Sequence, residues 1–140
     1  MTYTGKRMIF VFGSNEAGIH GAGAAKTAVE QHGAVMRCGF GHIMWSFAIP
    51  TKAAFRNGPN VAIGNTLSIP EIKVYVDAFL AYARAQHDMT FQVTQLGCGL
   101  AGLKAEDVAP LFKDAPENCY FDEAWKPILG PLKNYWGTFP

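Results

Sequence analysis

The stretch RMIFVFGSNEAGIHGAGAAKTAVEQHG, residues 7–33, decides the fold class. Residues 7–12 are a short apolar run, rich in β-branched and aromatic side chains, that stops at Gly13; this predicts a buried strand. A glycine-rich turn follows, with Gly13, Gly18, Gly21 and Gly23. It runs directly into residues 24–32, an alanine-rich segment that favours helix and is stopped by Gly33. Strand, glycine loop, helix is the unit from which parallel α/β sheets are built.

Working outward, residues 34–42 are ambiguous because Gly39-Phe40-Gly41 interrupts any strand pattern. Residues 44–49 (MWSFAI) predict a strand that Pro50 ends, and the polar, glycine-containing residues 51–65 predict a loop. Ser68-Ile-Pro-Glu71 is a helix start: serine caps, Glu71 completes a capping box, and Pro70 lies where no N–H is needed. Ile72, Val76, Phe79, Leu80 and Ala83 then form one apolar stripe at helical spacing. Residues 90–96 (TFQVTQL) predict a strand ending at Gly97. A second glycine turn, GCGLAG at 97–102, leads into a short helix over 104–112 that Pro110 limits or bends. Residues 118–121 predict a last strand. Residues 121–140, with Trp125, Tyr135, Trp136 and Phe139, predict an irregular, aromatic-anchored arm.

The expected architecture is a three-layer α/β/α domain over residues 1–140, with a mostly parallel, mixed sheet. In such sheets ligands bind outside the carboxyl ends of the strands, where both glycine turns lie. A length of 140 residues suffices for one core without disulfides. The net charge of +1, with no basic stripe, argues against nucleic-acid backbones and membrane surfaces as partners. Three unpaired-looking cysteines (Cys38, Cys98, Cys119) and no apolar run of membrane-spanning length point to a cytoplasmic protein. No metal-ligand spacing appears among His20, His42, Cys38 and Cys98, so neither a metal nor a cofactor is expected.

Backbone N–H groups at a turn or helix start, unobstructed by side chains, attract phosphate. Two such turns facing each other suit a diphosphate. The GxxxxGK[ST] loop and the GxGxxG fingerprint are both absent, which excludes the usual ATP hydrolysis and NAD hydride-transfer sites. The pair FGSNEAGIHGAGAA (residues 12–25) and QLGCGLAGLKAEDVAPLF (residues 95–112), with FAIPTK (residues 47–52) between them, resembles macro domains, the ADP-ribose-binding α/β/α family. It is nearest the branch of terminal ADP-ribose glycohydrolases and ADP-ribose-1″-phosphatases. The chain is also similar to small uncharacterised proteins of phage genomes. The resemblance covers residues 8–112.

It implies that Gly13, Gly21, Ala22, Gly23 and Ala24 surround one phosphate and the proximal ribose, that Gly97, Cys98, Gly99, Leu100, Ala101 and Gly102 wrap the diphosphate, and that Asn15 faces ribose hydroxyls. Lys52 matches the lysine that attacks the anomeric carbon in the glycohydrolases. Two departures stand against catalysis. Ala101 occupies the place of that lysine's acidic partner, and Ala25 that of the other branch's catalytic aspartate. The adenine-recognising Gly-Asp-Ile stretch is also absent.

The candidate catalytic residues are therefore Lys52, His20 and Glu16. Lys52 is a nucleophile or a phosphate counter-charge; His20 is a donor or general acid within the first turn; Glu16 is a replacement carboxylate, as are Glu106 and Asp107. His42 is a weaker candidate. Cys98 is either a thiolate nucleophile or a small buried residue. Phe121 and Trp125 are the tail aromatics to test for stacking on a base. Three functions compete: hydrolysis of an ADP-ribose derivative, a non-catalytic nucleotide sensor or sponge (counter-defence, for a phage protein), and a protein-interaction module using the aromatic tail.

Overall fold

The structure, a computed structural model, describes residues 7–138. Its first strand, β1 (Ile9–Asn15), is a continuous apolar run because it is covered on both faces. Successive side chains of a strand point to opposite sides. Ile9 and Val11 accordingly enter the larger core, with Phe47, Ile49, Phe79, Phe91, Phe112 and Trp125. Phe10 and Phe12 enter a smaller core with Ala25 and Ala28. The helix α1 (Gly23–Gln31) supplies those alanines and covers that face.

The remaining elements are β2 (Gly41–Ile43), β3 (Ser46–Asn57), β4 (Asn60–Thr66), α2 (Ile69–Ala85), β5 (Phe91–Val93), α3 (Ala105–Val108), β6 (Cys119–Asp122), α4 (Lys126–Leu129) and β7 (Asn134–Gly137). The sheet runs β2-β3-β1-β5-β6-β7, with β4 paired to the distal half of β3. Every pair from β3 to β7 along that path is parallel; β2 and β4 are antiparallel to β3. The mixed α/β class and mostly parallel sheet are as expected. Buried residues of α2 and α3 pack on the face opposite α1, giving helix, sheet and helix layers.

α2 carries the capping box its sequence announces: the Ser68 side chain accepts from the Glu71 N–H, and the Glu71 carboxylate accepts from the Ser68 N–H. The predicted strand at 90–96 shortens to three residues, and the helix at 104–112 becomes a 3-10 turn at Ala109–Phe112, where Pro110 sits.

Two segments differ from expectation. Residues 51–65 are not a loop: β3 continues through Pro50 and returns as β4 around a two-residue turn, with Gly58 at φ 61° before Pro59. Pro50 is tolerated because it lies between the end of β2 pairing at Ala48 and the start of β4 pairing at Lys52, where no edge N–H is required. The tail is not an irregular arm. It forms a 3-10 turn at Glu123–Trp125, then α4, then β7, which adds a parallel strand beside β6. The Trp136 indole N–H donates to the Val93 carbonyl (2.9 Å), holding β7 in place. Phe139 lies outside the described residues.

Candidate functional site

The chain leaves β1 toward α1 on one face of the sheet, and leaves β5 toward α3 on the other. Neighbouring parallel strands whose connections diverge in this way open a crevice at their carboxyl ends. A cleft of about 550 Å3 occupies that crevice, within the size range of small-molecule sites. Its walls are residues 13–15 and 21–25 on one side and 94–101 on the other, with Thr51 and Lys52 of β3 and Ile63 of β4 closing the end. A second cavity, of about 410 Å3, opens at the opposite end of the strands around Arg7, Trp45 and Asp88 and touches neither glycine loop.

Gly13, Asn15, Lys52, residues 21–24 and residues 97–101 are all brought together in this cleft. Gly102, Glu16 and His20 are not in its lining. Neither are Phe121 and Trp125, which are fully buried in the larger core. Sequence reasoning missed Ser14, Ile19, Ala25, Thr51, Ile63, Thr94, Gln95 and Leu96. Ile63 was hidden by reading the hairpin as a loop; Gln95 stands two residues before the glycine turn and could have been flagged by that nearness.

The glycines divide by what they do. Gly13 allows β1 to approach the second loop, since a Cβ there would lie 3.2 Å from the Gly97 nitrogen. A Cβ on Gly39 would lie 2.1 Å from the Asn15 carbonyl oxygen, so that glycine lets residues 34–39 tuck under the first loop. Gly21 and Gly99 are different. Neither has a left-handed backbone, and a Cβ on either would meet nothing within 4 Å. The fold gives no reason for glycine at either place; both face the cleft.

Among the described residues, nothing accepts from the N–H groups of residues 21–25 or 99–101. Ala22, at the N-cap of α1, has no side chain able to cap, so the positive end of that helix is left open. The second loop instead folds on itself, Gly102 N–H to the Gly99 carbonyl and Leu103 N–H to the Gly97 carbonyl (both 2.9 Å). It therefore offers loop amides rather than a helix end. Among the described lining residues, Lys52, half-buried, is the one charged residue, and none carries a carboxylate. The site attracts anions.

Most polar side chains of the lining are tied back to the protein. Asn15 donates to the Ile19 carbonyl (2.8 Å) and accepts from the Ile19 N–H (3.0 Å), leaving at most one Nδ2 hydrogen for a ribose hydroxyl. Thr94 Oγ1 donates to the Val11 carbonyl (2.8 Å) and Thr51 Oγ1 to the Ser14 carbonyl (3.3 Å). No family model, curated protein or solved structure matches the chain, so function must be argued from this cleft.

His20 serves the loop rather than the cleft. It is buried, and its Nε2 lies 3.1 Å from the Cys38 carbonyl, which can only accept, so Nε2 carries the hydrogen. Nδ1 then accepts from Ser14 Oγ at 2.9 Å. Burial pushes the imidazole below its ordinary value, partly offset by the backbone of Cys38 and Val35. Glu16 is exposed and accepts from the Tyr75 hydroxyl of α2; that bond pushes the phenol up to about 12. His42 bonds Tyr82 and the Met44 carbonyl beside the second cavity. Glu106 and Asp107 are exposed first-turn acids of α3. Burial raises the Cys98 thiol, with partial relief from the Trp125 indole, so the nucleophilic thiolate is disfavoured.

A pH dependence follows from His20. An unfolded histidine takes its proton near pH 6.5, whereas the folded ring resists it. Stability is therefore level above about pH 6.5 and falls below it, as the unfolded chain binds the proton that the fold refuses. His32, lowered by burial and by Arg7, acts in the same direction. Urea midpoints at about pH 7.5 and about pH 5.5 should show the drop. His20→Gln, which can keep an acceptor toward Ser14 and a donor toward Cys38, should shrink it. An unchanged drop in that variant would remove His20 as its source.

Proposed function

We propose that the cleft binds a phosphorylated nucleotide of the ADP-ribose type, its diphosphate held between the two glycine loops as in macro domains. The observation that carries this reading is the pair Gly21 and Gly99, glycines that neither packing nor backbone conformation requires, facing each other across a cleft lined with free amides. Space for a bulky anion accounts for both. Lys52 adds the counter-charge. Sensing or sequestering the nucleotide is favoured over hydrolysis. Direct attack by water needs a general base, and the described lining offers neither a carboxylate nor a histidine; attack by Lys52 would lack the acidic partner whose place Ala101 takes.

The test is thermal unfolding with ADP-ribose, ADP and pyrophosphate. A ligand at one hundred times its dissociation constant adds about 2.7 kcal/mol, a shift readily resolved for a chain of this length. ADP-ribose and an ADP-ribosyl ester should be recovered unchanged from the protein. No shift with any of the three phosphates overturns the reading, and turnover would replace the binding role with the hydrolytic one.

A further inference from the structure

Among the described residues, two side-chain atoms of the lining have no protein partner and are free to bond a ligand: Lys52 Nζ and Gln95 Oε1. The lysine matches an anion. Gln95 needs a different explanation, because its orientation is imposed. Its Nε2 lies 3.2 Å from Asp122 Oδ2, and a carboxylate oxygen facing an amide selects the N–H end. Asp122 cannot swing away. It is fully buried at the end of β6, and its Oδ1 accepts from the Ala124 N–H (2.9 Å) to cap the 3-10 turn. The Gln95 backbone is equally fixed, its carbonyl accepting from the Cys98 N–H at 3.1 Å. With one Nε2 hydrogen given to Asp122, Oε1 is the atom of this lining residue left without any protein partner, and it is an acceptor.

An acceptor in an otherwise anion-attracting site does not serve phosphate, which it would repel. It serves a donor adjoining the phosphate. In a nucleotide diphosphate the groups attached directly to the phosphates are riboses. Resting on the nucleotide reading above, we propose that Gln95, positioned by Asp122, is a specificity-determining residue that accepts a hydrogen bond from a ribose hydroxyl of the ligand. It distinguishes a sugar-bearing diphosphate from a bare one.

The experiment is calorimetric titration of wild-type protein and Gln95→Met with pyrophosphate, ADP and ADP-ribose. Methionine keeps the length of the side chain and removes both polar atoms. Pyrophosphate, bound by the amides and Lys52, should have the same affinity for both proteins within about twofold, which also reports that the variant is folded. ADP-ribose should bind the variant about tenfold more weakly, the value of one hydrogen bond. If ADP weakens equally, the hydroxyl belongs to the ribose beside the base; if ADP is unaffected, it belongs to the distal ribose. Undiminished ADP-ribose affinity, or equal losses for pyrophosphate and ADP-ribose, overturns the role of Gln95 alone. Failure of the wild-type protein to bind any of the three overturns the nucleotide reading, and this inference with it.

Discussion

Gly99→Glu abolishes ADP-ribose binding and leaves the protein as stable as before. Both halves of this expected result come from one geometric fact. A Cβ at Gly99 meets no atom within 4 Å, and the backbone there is one that any residue adopts. Exposed substitutions of that kind change stability by about 0.5 kcal/mol or less. The added carboxylate, however, lies beside the free amides of residues 99–101, where the ligand's phosphate would sit, and repels it while filling its place. Affinity should fall by at least about a hundredfold, or about 2.7 kcal/mol. Gly97→Glu is the contrast. Gly97 has φ 81°, and its Cβ would lie 3.1 Å from Leu103 Cδ1, so that variant should lose stability as well as binding. Calorimetric titration and a urea melt on both proteins separate the cases. A destabilised Gly99→Glu would make that glycine a requirement of the fold, and an undiminished affinity would move the site elsewhere.

The same distinction explains how much could be read before the structure. α2 was legible because its signals are local: a capping box within four residues and a stripe at helical spacing need no knowledge of what packs against them. The two glycine loops were legible as walls of one cleft because they follow strands, and crevices in parallel sheets open at strand ends. The hairpin of β3 and β4 was not. Its distal half is covered on neither face, with Phe55 and Ile63 exposed, so burial imposed no alternation of apolar and polar residues. The Gly58-Pro59 dipeptide is the turn signal, but within a polar, glycine-containing stretch it does not by itself distinguish a hairpin from a loop. His20 was misjudged for a third reason. Its sequence neighbours are glycines of an open loop, yet residues 34–39 fold beneath that loop, Arg37 N–H donating to the Gly18 carbonyl at 2.7 Å, and bury it. Contacts between segments this far apart leave no periodic trace.

Trp125→Ala should produce the largest loss of stability of any substitution considered for this chain. The indole is 0% exposed and packs against Phe112 and Phe121, with ring centroids 5.6 Å and 6.3 Å away. Removing a buried tryptophan costs about 3–5 kcal/mol, through lost burial and the cavity left behind. Against a typical total of about 5–15 kcal/mol, that is a large share, and it should lower the melting temperature by on the order of 10 °C. Trp125→Phe, which keeps a ring in place, should lose much less. The consequence reaches the function. Trp125 lies in the segment read from sequence as an arm, residues 121–140, and that segment also carries α4 and β7, whose Trp136 bonds the Val93 carbonyl of β5. Deleting it from Asp122 onward would remove a core residue, an edge strand and the partner of Gln95 at once. Loss of binding after such a truncation would report unfolding, not a severed docking arm. A loss below about 1 kcal/mol in Trp125→Ala would contradict this, because a side chain so enclosed cannot be removed without leaving a hole.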